Sequence, residues 1–464
     1  MKPDNFPNNA ERERTNTLAI YEKLYDNEQE EIFPLHPQIK SQFKDASSAI
    51  YISHALPEKI TSFYSELVQG DLEELQISTA DDNLKDNVDE ITEVNEIADK
   101  VYDLANDQSR NGFVVLYGRV NANNQYIIER ASQDQYFPQD DGSIIFATWE
   151  KDKRMPIPEG EDDRDIVVFL QKYSLADGVV NIQRAIYTTT DRVRADRLIP
   201  PEQYLNVYYE GYAETEQLQL DELPIAQIDN NTRKDGFGRS DYANIFPQVA
   251  EINQTRTEVA VQLIKNGDPI LVTPPLDGSA KNEDGSLKDV KYLETAEGES
   301  GQAHFVANDN PLLENAETHI MSQVQIISVL SEVPFFALTG TAQPERVESL
   351  QIRLHGAERR TKAKRARIRA GLKKMYRVGL KLTGALPLGD DFDFVCEFSE
   401  VLPRDMLQTA LAEQAKRDAG LTSRQSSIRR LEGYSQERLE EELQTIATED
   451  RESGVANPDA PPVF

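Results

Sequence analysis

Two long amphipathic segments, held apart by an insertion, constrain the fold of this chain more than any other feature. The first follows DGFGRSD and reads YANIFPQVAEINQTRTEVAVQLIKNGDP. Ile245, Val249, Ile252, Val259 and Leu263 fall at helical spacing and form one stripe. Ser240 or Asp241 suits its N-cap, because a short side-chain oxygen satisfies the open backbone N–H groups of a first turn. Gly267 and Pro269 suit its end. At the α-helical rise, a helix over 240–267 is about 40 Å long. The second segment, LLENAETHIMSQVQIISVLSEV, carries the stripe Leu313, Ala316, Ile320, Val324 and Ile327 and stops at Pro334. A structureless connection as long as 268–310 is uncommon inside a compact domain. ILVTPP and VKYLE read as strands around a polar NEDGS turn. The block therefore reads as two antiparallel helices carrying a small tip. Such a hairpin cannot cover two apolar stripes by itself, so copies from other subunits are expected to complete it.

The flanking regions have other periods. Residues 1–60 read as helical pieces broken by Pro34, Pro37 and Pro57. Ile91, Val94, Ile97, Val101 and Leu104 predict one amphipathic helix with an acidic solvent face. From 112 to 230 the runs GFVVLYGRV, QYIIERAS, SIIFATWE, DIVVFLQKYS, GVVNIQRAIYTTT and LNVYYEGY read as strands. Asn123-Asn124, Asp141-Gly142 and Asp177-Gly178 mark the turns of an antiparallel β domain. FFALTGTAQPE (335–345) reads as a short loop of small and hydroxyl residues. Pro344 then opens a helix running to about Thr383, with Gly356 and Gly371 as candidate kinks. FDFVCEF (392–398) alternates as a strand. Beyond it, Pro403, Gly420, Gly433 and Ser435 punctuate further helices, and Thr422 with Gln425 has capping-box spacing. The last residues, RESGVANPDAPPVF, are expected to be disordered. The fold class expected is α+β.

Composition narrows the function. The 464 residues correspond to roughly three domains at ~150 residues each. Their apolar fraction, 39%, is enough for buried cores and excludes a collagen, a mucin or a wholly disordered chain. No apolar run approaches the ~18 residues of a membrane span, and MKPDNFPNNAERER shows no secretory h-region. Lys and Arg number 50 against 81 Asp and Glu, a net charge of -31. That balance argues against simple electrostatic capture of DNA. It allows a protein that nucleic acid passes without sticking. The single Cys396 removes any intrachain disulfide or CxxC metal site, and His36, His54, His304, His319 and His355 are scattered.

Few constellations could carry chemistry. Gly236-Phe237-Gly238 precedes a helix but lacks the third glycine of a dinucleotide fingerprint and the GK[ST] of a phosphate loop, so a turn feeding a capped helix is expected. Asp390, Asp391 and Asp393 near Glu397 have the chemistry of a divalent-metal site, yet Asp391, Asp393 and Glu397 alternate with phenylalanines like a wet strand face. Cys396 and Trp149 read as core residues. Between Arg353 and Lys381, 29 positions hold twelve of the 50 basic residues, with Glu358 the single acid. Three settings suit these cations: acidic surfaces of neighbouring elements or subunits, nucleic acid, or solvent.

The order of these features resembles the portal proteins of tailed bacteriophages, the siphophage-type family. GFGRSDYANIFPQVAEINQTRTEVAVQLIKNGDPIL is similar to that family's Gly-x-Ser-Asp segment leading into a long helix with a Gly-Asp-Pro stop. LSEVPFFALTGTAQPERVESLQIRL and the helix after it continue the likeness. FSEVLPRDMLQTALAEQAKRDAGLTSRQSSIRRLEGYS is similar to the family's closing pattern. The likeness covers 235–450 well and 30–234 loosely.

The resemblance implies a portal fold: a mixed α/β wing, a two-helix stem, a small α/β clip and a helical C-terminal crown. Mapped here, 1–29 is a partly disordered N-terminal arm and 30–239 the first part of the wing. Residues 240–267 and 311–334 are the stem and 268–310 the clip. Residues 335–345 are the tunnel loop, 346–402 the rest of the wing, 403–450 the crown and 451–464 a disordered tail. It implies a homo-oligomeric ring, usually of twelve subunits, at one capsid vertex in the virion, assembled in the host cytoplasm. Double-stranded DNA passes through such a ring without sequence specificity. The implied partners are the terminase, the head-to-tail adaptor, the major capsid protein and a scaffold protein. No membrane, cofactor, metal or catalytic residue is implied. Leu338, Thr339, Gly340, Thr341 and Gln343 would form the DNA-channel loop. Glu283, Asp284 and Asp289 would lie on the clip's docking surface. Arg359, Arg360, Lys364 and Arg367 are candidate contacts to DNA or between subunits. The competing readings are a metal-dependent DNA-processing enzyme using Asp390, Asp391 and Asp393, and another structural or adaptor protein of the virion.

Overall fold

The structure is a computed structural model. It describes residues 2–40, 51–70, 75–157, 159–160, 162–209, 213–231, 236–266, 270–273, 292–294, 304–306, 311–340 and 347–401. Short pieces at 414–416, 419, 422–423, 425–427 and 442–446 complete the described residues. The chain divides into two units, Met1–Gln343 with Leu354–Val401, and Pro344–Arg353 with Leu402–Phe464. The second unit contributes the first turns of one long helix and helical turns at 414–416, 425–427 and 442–446. The remaining helices expected between Pro403 and Ser435, and the C-terminal tail, lie outside the described residues.

The first unit opens with helix α1 (Asn9–Tyr25), started by a reciprocal capping box between Asn8 and Glu11. Of residues 1–29, expected as a partly disordered arm, 2–29 are described and hold α1 and the start of a 3-10 turn at Gln29. Phe6 is buried edge-on against Phe137, and the Arg14 guanidinium lies over the rings of Phe137 and Phe237. After α2 (Pro37–Lys40) and α3 (Leu56–Gln69) come β1 (Gln76–Ser78), α4 (Lys85–Asn95) and α5 (Ile97–Asn111). The single helix expected over 91–104 is therefore two. Glu96 between them is left-handed at φ 47°, which breaks the helix while Ile91, Ile97, Val101 and Leu104 still enter the core.

The β region is antiparallel, as expected, but forms two sheets. In the first, β2 (Phe113–Val120) lies between β3 (Tyr126–Ala131) and β9 (Ile225–Asp229). In the second, the order is β4 (Tyr136–Pro138), β5 (Ile144–Lys151), β6 (Ile166–Ala176), β7 (Val179–Thr188), β8 (Thr215–Gln219). Asp177 and Gly178 both have positive φ, the two-residue hairpin that their sequence predicts. Of LNVYYEGY, the described residues 205–209 are not a strand. Pro201 opens a short 3-10 turn, helix α6 (Leu205–Tyr208) follows, and Tyr204 and Tyr209 pack with Val167, Ile186 and Ile199. The strands of this stretch are β8 and β9, whose polar-rich TEQLQ and IAQID carry weak apolar alternation.

Helices α7 (Phe246–Asn266) and α8 (Pro311–Ser331) follow the two long stripes. They are antiparallel: Arg256 pairs with Glu317 and His319 with Glu251. Ile245, Val249, Ile252, Ile320, Val324 and Ile327 are buried with Leu56, Ile60 and Tyr64 of α3. The chain thus covers one face of the foot of the pair itself. Leu263, near the tip end of α7, is 51% exposed, and at the foot the outer face of α8 is bare as well, with Val329 74% exposed. The tip contains β10 (Ile270–Thr273), parallel to β11 (Tyr292–Glu294) and antiparallel to β12 (His304–Val306), the last without a sequence expectation. The NEDGS turn and the Gly267 and Pro269 stop lie outside the described residues.

Helix α9 (Phe335–Thr339) follows Pro334, so part of the expected loop is one helical turn. Helix α10 (Val347–Leu382) is 36 residues long and continuous through both candidate kinks. Gly371 serves approach rather than bending: a Cβ there would strike the Ile228 side chain of β9. Ile368, Leu372, Met375 and Tyr376 join α10 to the core beside the three-stranded sheet. Of the strand expected over 392–398, β13 (Val395–Glu397) is laddered, against β1, while Phe392, Phe394 and Cys396 are buried.

Candidate functional site

The features singled out in sequence converge at the foot of the α7–α8 pair. Asp241, expected as a helix cap, is instead wholly buried. Its carboxylate accepts from Ser109 Oγ at 2.6 Å, Asn230 Nδ2 at 2.7 Å and Lys364 Nζ at 3.0 Å, and pairs with Arg360 Nη2 at 3.0 Å. Lys364 Nζ also donates to Asn230 Oδ1 at 2.7 Å. Ser240 Oγ donates to the Arg110 carbonyl and accepts from Tyr242 N–H at 3.0 Å. With both residues turned inward, 241–245 form a turn and α7 starts at Phe246. Burial opposes the charge of Asp241, but Lys364 and Arg360, helped by the two hydrogen bonds, hold its carboxyl below the usual carboxylate range. Burial likewise pulls Lys364 below the usual lysine range, against the attraction of Asp241.

The glycines before this aspartate work by contact. Gly112 is left-handed at φ 86° and its carbonyl accepts from Asn230 N–H at 2.7 Å. A Cβ on Gly238 would strike that same carbonyl. Gly238 N–H donates to Asp229 Oδ1 at 3.0 Å, so this N–H already serves the turn. The GFGRSD segment is the seam that locks the end of β9 and the end of α5 to the start of α7.

The channel-loop candidates divide. Leu338 is buried in the core with Ile60 and Tyr64, so it anchors the loop rather than lining a channel. Thr339 Oγ1 donates back to Phe335 O at 2.9 Å, and Gly340 closes α9 in the left-handed region at φ 72°. Thr341 and Gln343, like Glu283, Asp284 and Asp289, lie outside the described residues. Lys59 of α3 donates to the Leu338 carbonyl at 3.0 Å, favourable at a helix C-terminus. A lone lysine so far back in the chain carries no local signal for that role.

The cations of α10 mostly serve the chain's own neighbouring elements. Lys364 is enclosed and Arg360 largely so, which corrects their expected place as contacts to DNA or other subunits: burial commits both to Asp241. Arg365 donates to the carbonyls of Val68, Leu67 and Ser399, and burial lowers it to about 10. Arg369 donates to Cys396 O and Lys374 to Ile225 O. Arg377 pairs with Glu222 and Asp391, and Lys381 with Asp221. Arg359 is the outward-facing member of the four candidates, 3.7 Å from Glu332, and Arg367 is half-buried. Asp391 is held by Lys373 at 3.1 Å and Arg377 at 3.2 Å. Among the described residues no cluster of three or more His, Cys, Asp or Glu could hold a metal ion, and no helix is long and apolar enough to cross a membrane.

A search of curated proteins gives no match. Among solved structures, the neck of a native GTA particle computed with C12 symmetry is similar at 10% identity and TM-score 0.42, covering 81% of this chain and 89% of that one. The family model of phage portal proteins, SPP1 Gp6-like, matches residues 6–455, nearly the whole length. The chain belongs to this family and is a phage portal protein, a component of the virion.

Proposed function

We propose that identical subunits close into a ring, of twelve copies in the virion, at one capsid vertex, and that the genome enters and leaves through its centre. In this reading α7 and α8 are the stem, 268–310 the clip, and 335–345 the tunnel loop. Residues 30–239 with 346–402 make up the wing, and 403–450 the crown. The observation that carries it is the two-sided apolar character of α8: one face is buried in its own chain, while Ile326, Val329 and Leu330, at helical spacing on the other face, stay exposed, as does Leu263 on α7. Exposed apolar residues on a rod favour a partner surface, and neighbouring copies supply one.

A conduit must also let its cargo slide. Each phosphate neutralised adds affinity, so a basic lumen would act as a brake. A subunit at -31, with most α10 cations engaged internally, suits passage without sequence specificity. Thr339 and Gly340, with Thr341 and Gln343 beyond them, would offer weak polar contacts to the duplex. The clip would dock the terminase during filling and the head-to-tail adaptor afterwards. The wing would face the major capsid protein and a scaffold protein, with assembly in the host cytoplasm. The role needs no chemical step from the chain. Deleting 339–343 tests the channel: rings should still assemble, while packaging or retention of DNA falls sharply. Normal filling by that variant would refute the loop's role.

A further inference from the structure

The segment that carries the channel loop leaves and rejoins the body at one point. Ser331 is the last residue of α8, and Arg360 lies on α10; α9 and residues 340–346 lie between them in the chain. Arg360 Nη1 donates to the Ser331 carbonyl at 2.7 Å, while its Nη2 pairs with Asp241 at 3.0 Å. One guanidinium therefore closes the neck of the loop segment and holds the residue that leads into α7. Tyr64 OH donates to the same Ser331 carbonyl at 2.7 Å, and its ring lies 5.5 Å from Arg360 and 5.1 Å from Lys364. Outside this buried clip, Glu332 and Arg359 form a second, exposed pairing at the same neck.

We propose that Arg360 is a positioning residue that couples the channel loop to the foot of the stem. The inference rests on reading 335–345 as that loop. The planar fork of arginine reaches two acceptors at fixed angles, which a lysine ammonium on the same stem does not reproduce. In a buried polar network each lost bond is costly, so the neck does not loosen gradually. A displacement at Gly340 reaches Ser331, and through Arg360 reaches Asp241 and the first turn of α7. The loop's position and the register of the two stem helices become one variable.

Hydrogen exchange on the assembled full-length protein tests this without DNA. Gly340→Val perturbs the loop root, because a β-branched residue resists φ 72°. In the otherwise wild-type ring it should speed exchange across 241–249 by about fivefold, the lower end of ordinary coupling between sites. In an Arg360→Lys ring the same change should move 241–249 by less than about twofold. Strands β5–β7 should be unaffected in every variant. A merely structural role would raise exchange in Arg360→Lys alone and leave the Gly340→Val effect at full size, which overturns the proposal. If Arg360→Lys does not assemble, Tyr64→Phe takes its place: removing one donor to Ser331 should shrink the effect, and an unchanged effect again overturns it. Failure of the channel reading would show instead in the DNA filling of the 339–343 deletion, a measurement independent of this one.

Discussion

Asp241 sits where four donors meet in the buried interior, and its charge is essential to the arrangement. Asp241→Asn would leave Lys364 buried without its counter-ion, a loss of about 3–5 kcal/mol for this kind of pair. Thermal unfolding of the assembled variant at neutral pH should show it. The same group sets an acid limit. Its folded pKa lies below the ordinary value, so its stabilising contribution is full above pH ~4 and is lost as pH falls through the folded value. The stability gap between wild type and Asp241→Asn should therefore narrow in acid; a gap that stays constant from neutral pH to pH ~2 would contradict the assignment. Gly238→Ala should cost about 1–3 kcal/mol through collision with the Gly112 carbonyl, read from the same melts. The Gly-x-Ser-Asp pattern is legible as a helix entrance. Its deeper use is not, because Ser109 and Lys364 come from distant parts of the chain and no local spacing announces a buried receptor for two cations.

At the scale of elements, what the sequence discloses follows from length and period. Helices α7 and α8 are long enough for their stripes to declare them, and Pro334 marks its boundary as expected. The Asp177-Gly178 hairpin is legible because its turn demands positive φ twice. Failures arise where tertiary packing overrides local pattern. Tyr204 and Tyr209 turn an aromatic run into helix, and Glu96 accepts a left-handed conformation to bend one amphipathic stripe into two helices. Gly371 reads as a weak point of α10 but is a contact point, so Gly371→Leu should push the helix off Ile228 and destabilise the fold by about 1–3 kcal/mol, checked by thermal unfolding. For the proposed clip, reversing the charges of Glu283, Asp284 and Asp289 together should weaken terminase binding. A dissociation constant equal to that of wild type would remove those residues from the docking surface.

For the whole molecule, the basic helix shows how composition misleads without geometry. Twelve cations within 29 positions look like a nucleic-acid surface. Lys364 is enclosed, Arg365 and Arg369 clasp backbone carbonyls, and Arg377 and Lys381 hold acids of the segment between β8 and β9. The helix is a spine to which the sheets and the α7–α8 pair are fastened. In the proposed ring, the apolar residues left uncovered on α7 and α8 would meet neighbouring copies. Images of the purified full-length protein in negative stain test that ring most directly. The account predicts closed rings with a central hole, bearing the α7–α8 pairs around it. Particles that remain single subunits at every concentration would contradict it.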